Sequence, residues 1–320
     1  MPPSARRVVP LLLLGFALAS AAQEYPVKPV RIIDPFSPGG GSDVLARVAA
    51  QKLTERLGQT FIVENRPGGG GHIGADFVAK SAPSGYTLLM AGVVHAIGMT
   101  LYRKLPYDMA KDLAPVGQVA TFPSLIVVHP SLPVTSIKEL IALARSRPGE
   151  LNYGANPGSP NHLAMEMFNV MGKVKLVHIG YKGAAPVVID LVGGQLHLAS
   201  LGIPSVWPHV QSGRVRVLAV TSTSRSPLLP AVPTVAESGL PGYDVSSWYG
   251  LYAPAGTPDA VIGRLNSEIR AAMKSPDVSE RLSSQGAQAA PTSPEEFGRI
   301  TRAEIARWGK VVRDSGAKVE

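Results

Sequence analysis

Residues 30–57, VRIIDPFSPGGGSDVLARVAAQKLTERL, place an apolar strand, a glycine-rich loop and a helical pattern in direct succession. After the loop, apolar side chains recur at helical spacing at Val44, Leu45, Val48, Ala49, Leu53 and Leu57. Related units follow in TFIVENRPGGGG (60–71), LNYGANPGSP (151–160) and KLVHIGYKGAAP (175–186). Strands that alternate with helices in this way predict an α/β fold with a largely parallel, doubly wound sheet.

The length of 320 residues predicts two lobes, because single cores stop growing near this size. The stretch PVGQVATFPSLIVVH (115–129) is too long for one ordinary strand, so we expect two strands joined by a crossing between lobes at 118–125. VSSWYGLYAP (245–254) predicts the return crossing, near 245–252. We therefore expect two doubly wound α/β lobes that are joined by two crossing strands and enclose a cleft.

The first residues have the pattern of an export signal. Arg6 and Arg7 precede an apolar run over 8–19 and the small residues 19–22, which predicts a signal peptide over 1–22, cleaved near Ala21 or Ala22. We therefore expect a periplasmic protein. Removal of the two arginines from 31 basic residues leaves 29 against 23 acidic ones, so the formal charge falls from +8 to +6.

Composition and motifs exclude several classes of function. The chain has no cysteine, which excludes disulfides, thiolate metal sites and a cysteine nucleophile. Gly40 and Gly41 precede Ser42 rather than the lysine of a P-loop, and no serine lies in a G-x-S-x-G motif. The basic residues are dispersed, so we expect no nucleic-acid partner. We also expect no metal and no cofactor.

Three glycine-rich loops, at 35–43, 154–162 and 180–186, each precede a helix and suit a carboxylate or phosphate. The alternative is that they are only tight turns, with Ser42 or Asp43 capping the helix. A ligand contact and plain packing are both open for His162, as are anion pairing and solvation for Lys182. For Trp248 and Tyr249, packing at the hinge is favoured over stacking on a ligand.

The chain resembles the Bug-type receptors of tripartite tricarboxylate transporters over almost its whole length. The resemblance is carried by segments such as YPVKPVRIIDPFSPGGGSDVLAR, LGQTFIVENRPGGGGHIGADFVAK, GYKGAAPVVIDLVGGQL and WYGLYAPAGTP. It implies a type II periplasmic binding fold that closes on a small carboxylate, held by loop amides and partly through bridging waters. The ligand contacts that it implies are Ser37, Gly39, Gly40, Gly41, Asp43, His95, Gly158, Ser159, His162, Tyr181, Lys182 and Gly183. Asp43 is expected to organise its loop rather than bind an anion.

Two positions differ from the pattern of that family. The chain has Gly92-Val93-Val94 where hydroxyl or amide groups are usual, and Gly202 where asparagine is frequent. Both changes remove polar groups from the expected pocket, so we predict an aromatic or otherwise apolar monocarboxylate as ligand.

The resemblance implies a non-catalytic receptor, expected as a monomer, that serves membrane transporter subunits. One alternative is an exported enzyme with His162 and Asp43 as acid–base residues, and another is a sensor that serves a signalling partner. The predicted limits are 23–121 and 248–320 for the first lobe and 122–247 for the second.

Overall fold

The computed structural model describes residues 25–284 and 286–318. The predicted signal peptide over 1–22 lies outside these residues. Among the residues that the structure describes, no helix is long and apolar enough to cross a membrane.

The chain alternates strands and helices as the sequence predicts. The strands are β1 Val30–Asp34, β2 Phe61–Asn65, β3 Thr87–Gly92, β4 Leu113–Val128, β5 Asn152–Ala155, β6 Val177–Gly180, β7 Leu198–Gly202, β8 Arg216–Val220, β9 Ser246–Pro254 and β10 Gln288–Ala289. The helices are α1 Gly41–Leu57, α2 His72–Ala79, α3 Val93–Leu101, α4 Met109–Asp112, α5 Ile137–Ser146, α6 Pro160–Gly172, α7 Ala184–Val192, α8 Ile203–Gln211, α9 Asp259–Met273, α10 Pro276–Ser284 and α11 Pro294–Ser315. A short 3₁₀ turn, Gly69–Gly71, precedes α2.

The sheet has the order β2-β1-β3-β9-β4-β7-β5-β6, and β8 and β10 also pair with β4. In the first lobe β1 is parallel to β2 and β3, and in the second β5 is parallel to β6 and β7. The two central strands, β4 and β9, are antiparallel to each other. The predicted fold class, two α/β lobes joined by two crossing strands, is confirmed.

Strand β4 passes from one lobe to the other. It pairs with β9 as far as Pro123, opposite Ser246, and with β7 from Ser124, opposite Gly202. The expectation of two separate strands here is wrong, because β4 continues for 16 residues. Proline, which has no N–H to give to a ladder, lies where the β9 ladder ends and the β7 ladder begins. The residue limits of the lobes stay a prediction.

The C-terminal helix α11 packs against both lobes. Trp308 of α11 is fully buried in a core that also contains Ala96 of α3 and Leu163 of α6. Phe297, also fully buried on α11, packs edge-on against Trp248 of β9, with ring centroids 5.4 Å apart. Full burial of such a side chain stabilises the fold by roughly 1.5–3 kcal/mol. The helix therefore packs against the crossing strand β9 as well as against helices of both lobes.

A single methyl group tests this packing. A Cβ at Gly250 would collide with Cζ of Phe297 and would lie 2.8 Å from the carbonyl oxygen of Gly117. We expect Gly250→Ala to lower the free energy of unfolding in urea by roughly 1–3 kcal/mol or more. The control is Gly263→Ala on the exposed face of α9, where a Cβ meets nothing within 4 Å; it should stabilise by up to about 1 kcal/mol. Equal stability of Gly250→Ala and wild type would contradict this packing.

Candidate functional site

Two adjoining cavities lie between the lobes. Cavity A, of about 200 Å³, is bounded by Phe36, Gly70 and Gly92–Val94 from the first lobe and by 156–160 from the second. Cavity B, of about 230 Å³, has walls from both lobes and the crossing strands. These walls are formed by Gly41, Phe122, Pro123, Ser124, Pro160, Asn161, Gly202, Ile203, Pro204, Ser247, Tyr249 and Gly286. Tyr249 and Pro160 line both cavities, so the two cavities adjoin; together we call them the cleft.

The loop before α1 presents backbone amides to the cleft. Gly40 is the N-cap of α1, and residues 37–41 are exposed. The N–H groups of Gly40 and Gly41 donate to no acceptor among the described residues. Gly41 lines cavity B. Unpaired amides at a helix N-terminus favour an anion.

Asp43 holds this loop in place from behind. Its carboxylate accepts the Gly39 N–H at 3.0 Å, both Arg47 donors at 2.9 Å and the Asn65 amide at 3.0 Å. The hydrogen bonds from Arg47 are the main reason why the pKa of Asp43 falls to about 2. Asp43 is buried and lines neither cavity, which agrees with a loop organiser. The N-cap is Gly40, so the alternative of Ser42 or Asp43 as the cap is wrong.

The loop before α6 is built in the same manner. Ser159 is the N-cap, and its hydroxyl oxygen accepts the His162 N–H at 3.2 Å. The Gly158 N–H donates to Nδ1 of His162 at 3.1 Å, and the Ser159 N–H donates to the carbonyl oxygen of Asn156. Gly158 and Ser159 line cavity A, whereas the His162 ring is buried and lines neither cavity. The Gly158 N–H therefore binds the buried His162 ring and does not face the cleft.

The third predicted loop does not line either cavity, although it adjoins the loop before α6 through the Tyr181 N–H, which donates to the carbonyl oxygen of Ala155. The Tyr181 hydroxyl donates to Asp190 at 2.5 Å, Lys182 is exposed, and Gly183 is the N-cap of α7. None of these three residues lines cavity A or cavity B. Of the predicted contacts, the structure brings together Gly41, Gly158 and Ser159 as cavity walls, with Ser37, Gly39 and Gly40 in the adjoining exposed loop.

His95 lies behind the cavity wall. Its Nδ1 accepts the Gly92 N–H at 3.1 Å, and its Nε2 lies 3.4 Å from the carbonyl oxygen of Gly71. Complete burial lowers the pKa of His95 to about 4, so the ring is neutral at physiological pH. The wall itself is formed by Val93 and Val94, the two residues that precede His95 on α3. The structure thus places His95 outside the lining of the cleft.

One buried residue behind the glycine-rich loop, Asp34, was not predicted from the sequence. Asp34, at the end of β1, is fully buried and accepts hydrogen bonds from the Ser42 hydroxyl and from Asn65 at 3.0 Å. Burial, with a smaller effect of the Asp43 charge, raises the pKa of Asp34 to about 6. A carboxylate that ends an otherwise apolar strand, directly before the glycine-rich loop, is the signal that could have identified it.

The two aromatic residues of the return crossing have different roles. Trp248 is buried in the core and donates to Glu304 at 3.3 Å, as hinge packing requires. Tyr249 points to the other face of β9, lines both cavities and meets Phe122 edge-on at 5.5 Å. The preference for hinge packing therefore describes Trp248, while Tyr249 is available to a ligand.

The model of the family described as "Tripartite tricarboxylate transporter family receptor" matches residues 45–317. The chain belongs to this receptor family. The chain is 41% identical to Protein BugT of Bordetella pertussis, over 96% of this chain and 95% of that protein. The sequence is also 41% identical to that of R. palustris Rpa4515, whose structure was solved with adipate. The two structures superpose with a TM-score of 0.79 over 92% of this chain and 100% of that one.

A second solved receptor, MatC from Rhodopseudomonas palustris with bound malate, is 32% identical and has a TM-score of 0.75. The alignment covers 90% of this chain and 100% of MatC. The resemblance to Bug-type receptors is thereby confirmed. This chain has the fold of these solved structures over about nine tenths of its length, which includes both lobes.

The raised pKa of Asp34 predicts how the stability of the folded protein depends on pH. Its pKa is raised in the folded state from 3.8 to about 6, so its contribution to stability is present at low pH and is lost as the pH rises through about 4 to 6. We expect Asp34→Asn to gain roughly 2–3 kcal/mol relative to wild type between pH 4 and pH 7.

Urea unfolding of both proteins across that range measures the difference. Asp43 does not affect the comparison between pH 4 and pH 7. Because its pKa is lowered to about 2 in the folded state, its contribution to stability is lost only as the pH falls below 3.8. If the free energies of unfolding of Asp34→Asn and wild type changed in parallel with pH, the raised pKa of Asp34 would be contradicted.

Proposed function

We propose that this protein is a periplasmic solute-binding receptor that captures a small organic carboxylate by closure of its two lobes. The observation that carries the proposal is that four helix N-termini meet around one cleft. The first turns of α3 and α6 border cavity A, and those of α1, α6 and α8 border cavity B. Each helix N-terminus carries about half a positive charge, and the N–H groups of Gly40, Gly41 and Asn161 donate to no acceptor among the described residues; both features favour a bound anion.

The cleft walls between these N-termini are largely apolar. Phe36, Val93 and Val94 line cavity A, and Phe122 and Ile203 line cavity B. This composition supports a carboxylate with an aromatic or aliphatic body. Adipate, with which Rpa4515 was solved, has two carboxylates separated by methylene groups. Adjoining cavities with helix N-termini at each can accept such an acid as well as a monocarboxylate.

The structure favours a receptor over the alternative of an exported enzyme. That enzyme would need Asp43 and His162 as acid–base residues at the ligand. Both side chains are buried, and each accepts a backbone N–H of its own loop, from Gly39 and Gly158. Delivery of the ligand to the membrane subunits of a tripartite tricarboxylate-type uptake system is proposed from membership of the family.

A thermal-shift panel tests the class of ligand. We expect benzoate and adipate to raise the unfolding temperature more than citrate or glutamate, because the walls offer few polar groups to additional charges. A ligand at about 100 times its Kd adds roughly 2.7 kcal/mol to stability. Stabilisation by citrate or glutamate alone would overturn the proposed class, and no stabilisation by any carboxylate would overturn the receptor function.

A charge placed among the amide donors tests the location of the site. Gly40 has a φ of −78°, and a Cβ there approaches nothing closer than 3.8 Å, so a side chain is accommodated. We expect Gly40→Asp to weaken binding of the best acid from the panel by more than tenfold, since the new carboxylate repels the ligand.

The matched control is Gly40→Asn, which has the same shape without the charge and should bind more tightly than Gly40→Asp. Isothermal titration calorimetry measures both affinities, and circular dichroism checks the fold. Equal affinities of Gly40→Asp and wild type would show that the anion binds elsewhere.

A further inference from the structure

The loops before α1 and α6 share a spacing of polar residues that is not obvious from the sequence. In GGGSDVLAR (39–47) a glycine, an acid and a base lie at four-residue intervals, as Gly39, Asp43 and Arg47. In GSPNHLAME (158–166) the same three positions are Gly158, His162 and Glu166. Both glycines have a positive φ, 87° for Gly39 and 75° for Gly158. In each loop the next residue is the N-cap of the helix.

The hydrogen bonds of the two loops are equivalent as well. The Gly39 N–H donates to Asp43 at 3.0 Å, and the Gly158 N–H donates to His162 at 3.1 Å. In both cases a side chain in the first turn of the helix binds the amide four residues before it. We call this arrangement the loop clamp. It pulls the glycine amide inward and fixes the turn that carries the N-cap.

The clamps differ in the group that supports them. Asp43 is paired with Arg47 at 2.9 Å, so the first clamp rests on an ion pair. Nε2 of His162 lies 3.7 Å from Oε1 of Glu166, and that same oxygen accepts the Tyr153 hydroxyl at 2.5 Å. Since Nδ1 of His162 accepts an N–H, it carries no proton, and the ring proton lies on Nε2 towards the carboxylate.

The surroundings of His162 separate a positioning role from a ligand contact. The ring is 4% exposed and stacks on His178 at a centroid distance of 3.9 Å, with Tyr153 at 6.3 Å. Both ring nitrogens face protein atoms, and the ring borders neither cavity. A ligand in the cleft therefore meets the turn that His162 holds rather than His162 itself.

We propose that His162 is a positioning residue, the second-lobe counterpart of Asp43, which clamps the Gly158 amide so that Ser159 and Asn161 face the ligand. The proposal rests on the proposed function for its consequence, because the clamped turn is taken as half of the carboxylate site. Ser159 and Asn161 line cavities A and B respectively, and the Asn161 N–H has no acceptor among the described residues.

Two substitutions at His162 distinguish the clamp from simple packing. Oδ1 of an asparagine can accept the Gly158 N–H in place of Nδ1, whereas leucine fills the space without an acceptor. We expect His162→Leu to bind benzoate or adipate about tenfold more weakly than wild type, and His162→Asn to remain within about threefold. His178→Leu is the control, because it removes the stacked ring and leaves the clamp in place; it should also remain within about threefold.

Hydrogen exchange and ¹⁵N NMR test the clamp independently of any ligand. The Gly158 amide should be protected in wild type and His162→Asn but exchange faster in His162→Leu, and the wild-type spectrum should show His162 protonated at Nε2 alone. Equal affinity of His162→Leu and wild type, or a weakened His162→Asn with a protected Gly158 amide, would overturn the positioning role. Failure of wild type to bind any carboxylate of the thermal-shift panel would instead overturn the proposed function, while the exchange and tautomer results would still decide the clamp.

Discussion

The antiparallel pairing of β4 with β9 is the interaction on which the rest of the structure depends. The ladder runs from Leu113 opposite Pro254 to Pro123 opposite Ser246, and β4 then continues into the second lobe beside β7. Because both connections between the lobes are strands of one sheet, they can bend only as a pair. The same ladder places Trp248 in the core and Tyr249 in the cleft, so the strands that join the lobes also form a wall of the cleft.

The N-termini of α1, α3, α6 and α8 border the cleft beside this wall, and their partial positive charge favours an anion there. An N-terminus attracts an anion only when its amides are free and its loop keeps its shape. The two requirements are met by different residues in each loop. The glycine at the start of the turn gives its amide to the clamp, whereas the amides of Gly40 and Gly41 in the first loop and of Asn161 in the second donate to no acceptor among the described residues. The buried acids Asp34 and Asp43 thus lie behind the proposed anion site without lining the cleft.

Much of the fold could be predicted from local sequence, because strand, loop and helix each have their own periodicity. The 35–43 loop was predicted correctly as the N-terminal loop of a helix for that reason. The continuity of β4 could not be predicted, because Pro123 breaks a ladder unless the partner strand changes at that residue. The inward orientation of His95 and His162 was also hidden, since a sequence pattern places a residue on a helix turn but does not say which way its ring is directed. Tyr181, Lys182 and Gly183 follow β6, the strand at the edge of the sheet, and line neither cavity, so their contact with a ligand stays a prediction.

Closure of the lobes about the paired strands is the central claim, and the distance between them measures it most directly. The chain has no cysteine, so spin labels can be attached at Ile73→Cys on α2 and Ile189→Cys on α7, whose side chains are 59% and 69% exposed. Double electron–electron resonance, without and with a saturating acid from the panel, reports the separation. The account predicts a shift to shorter distances when the acid is added. An unchanged distance distribution at full occupancy would contradict it.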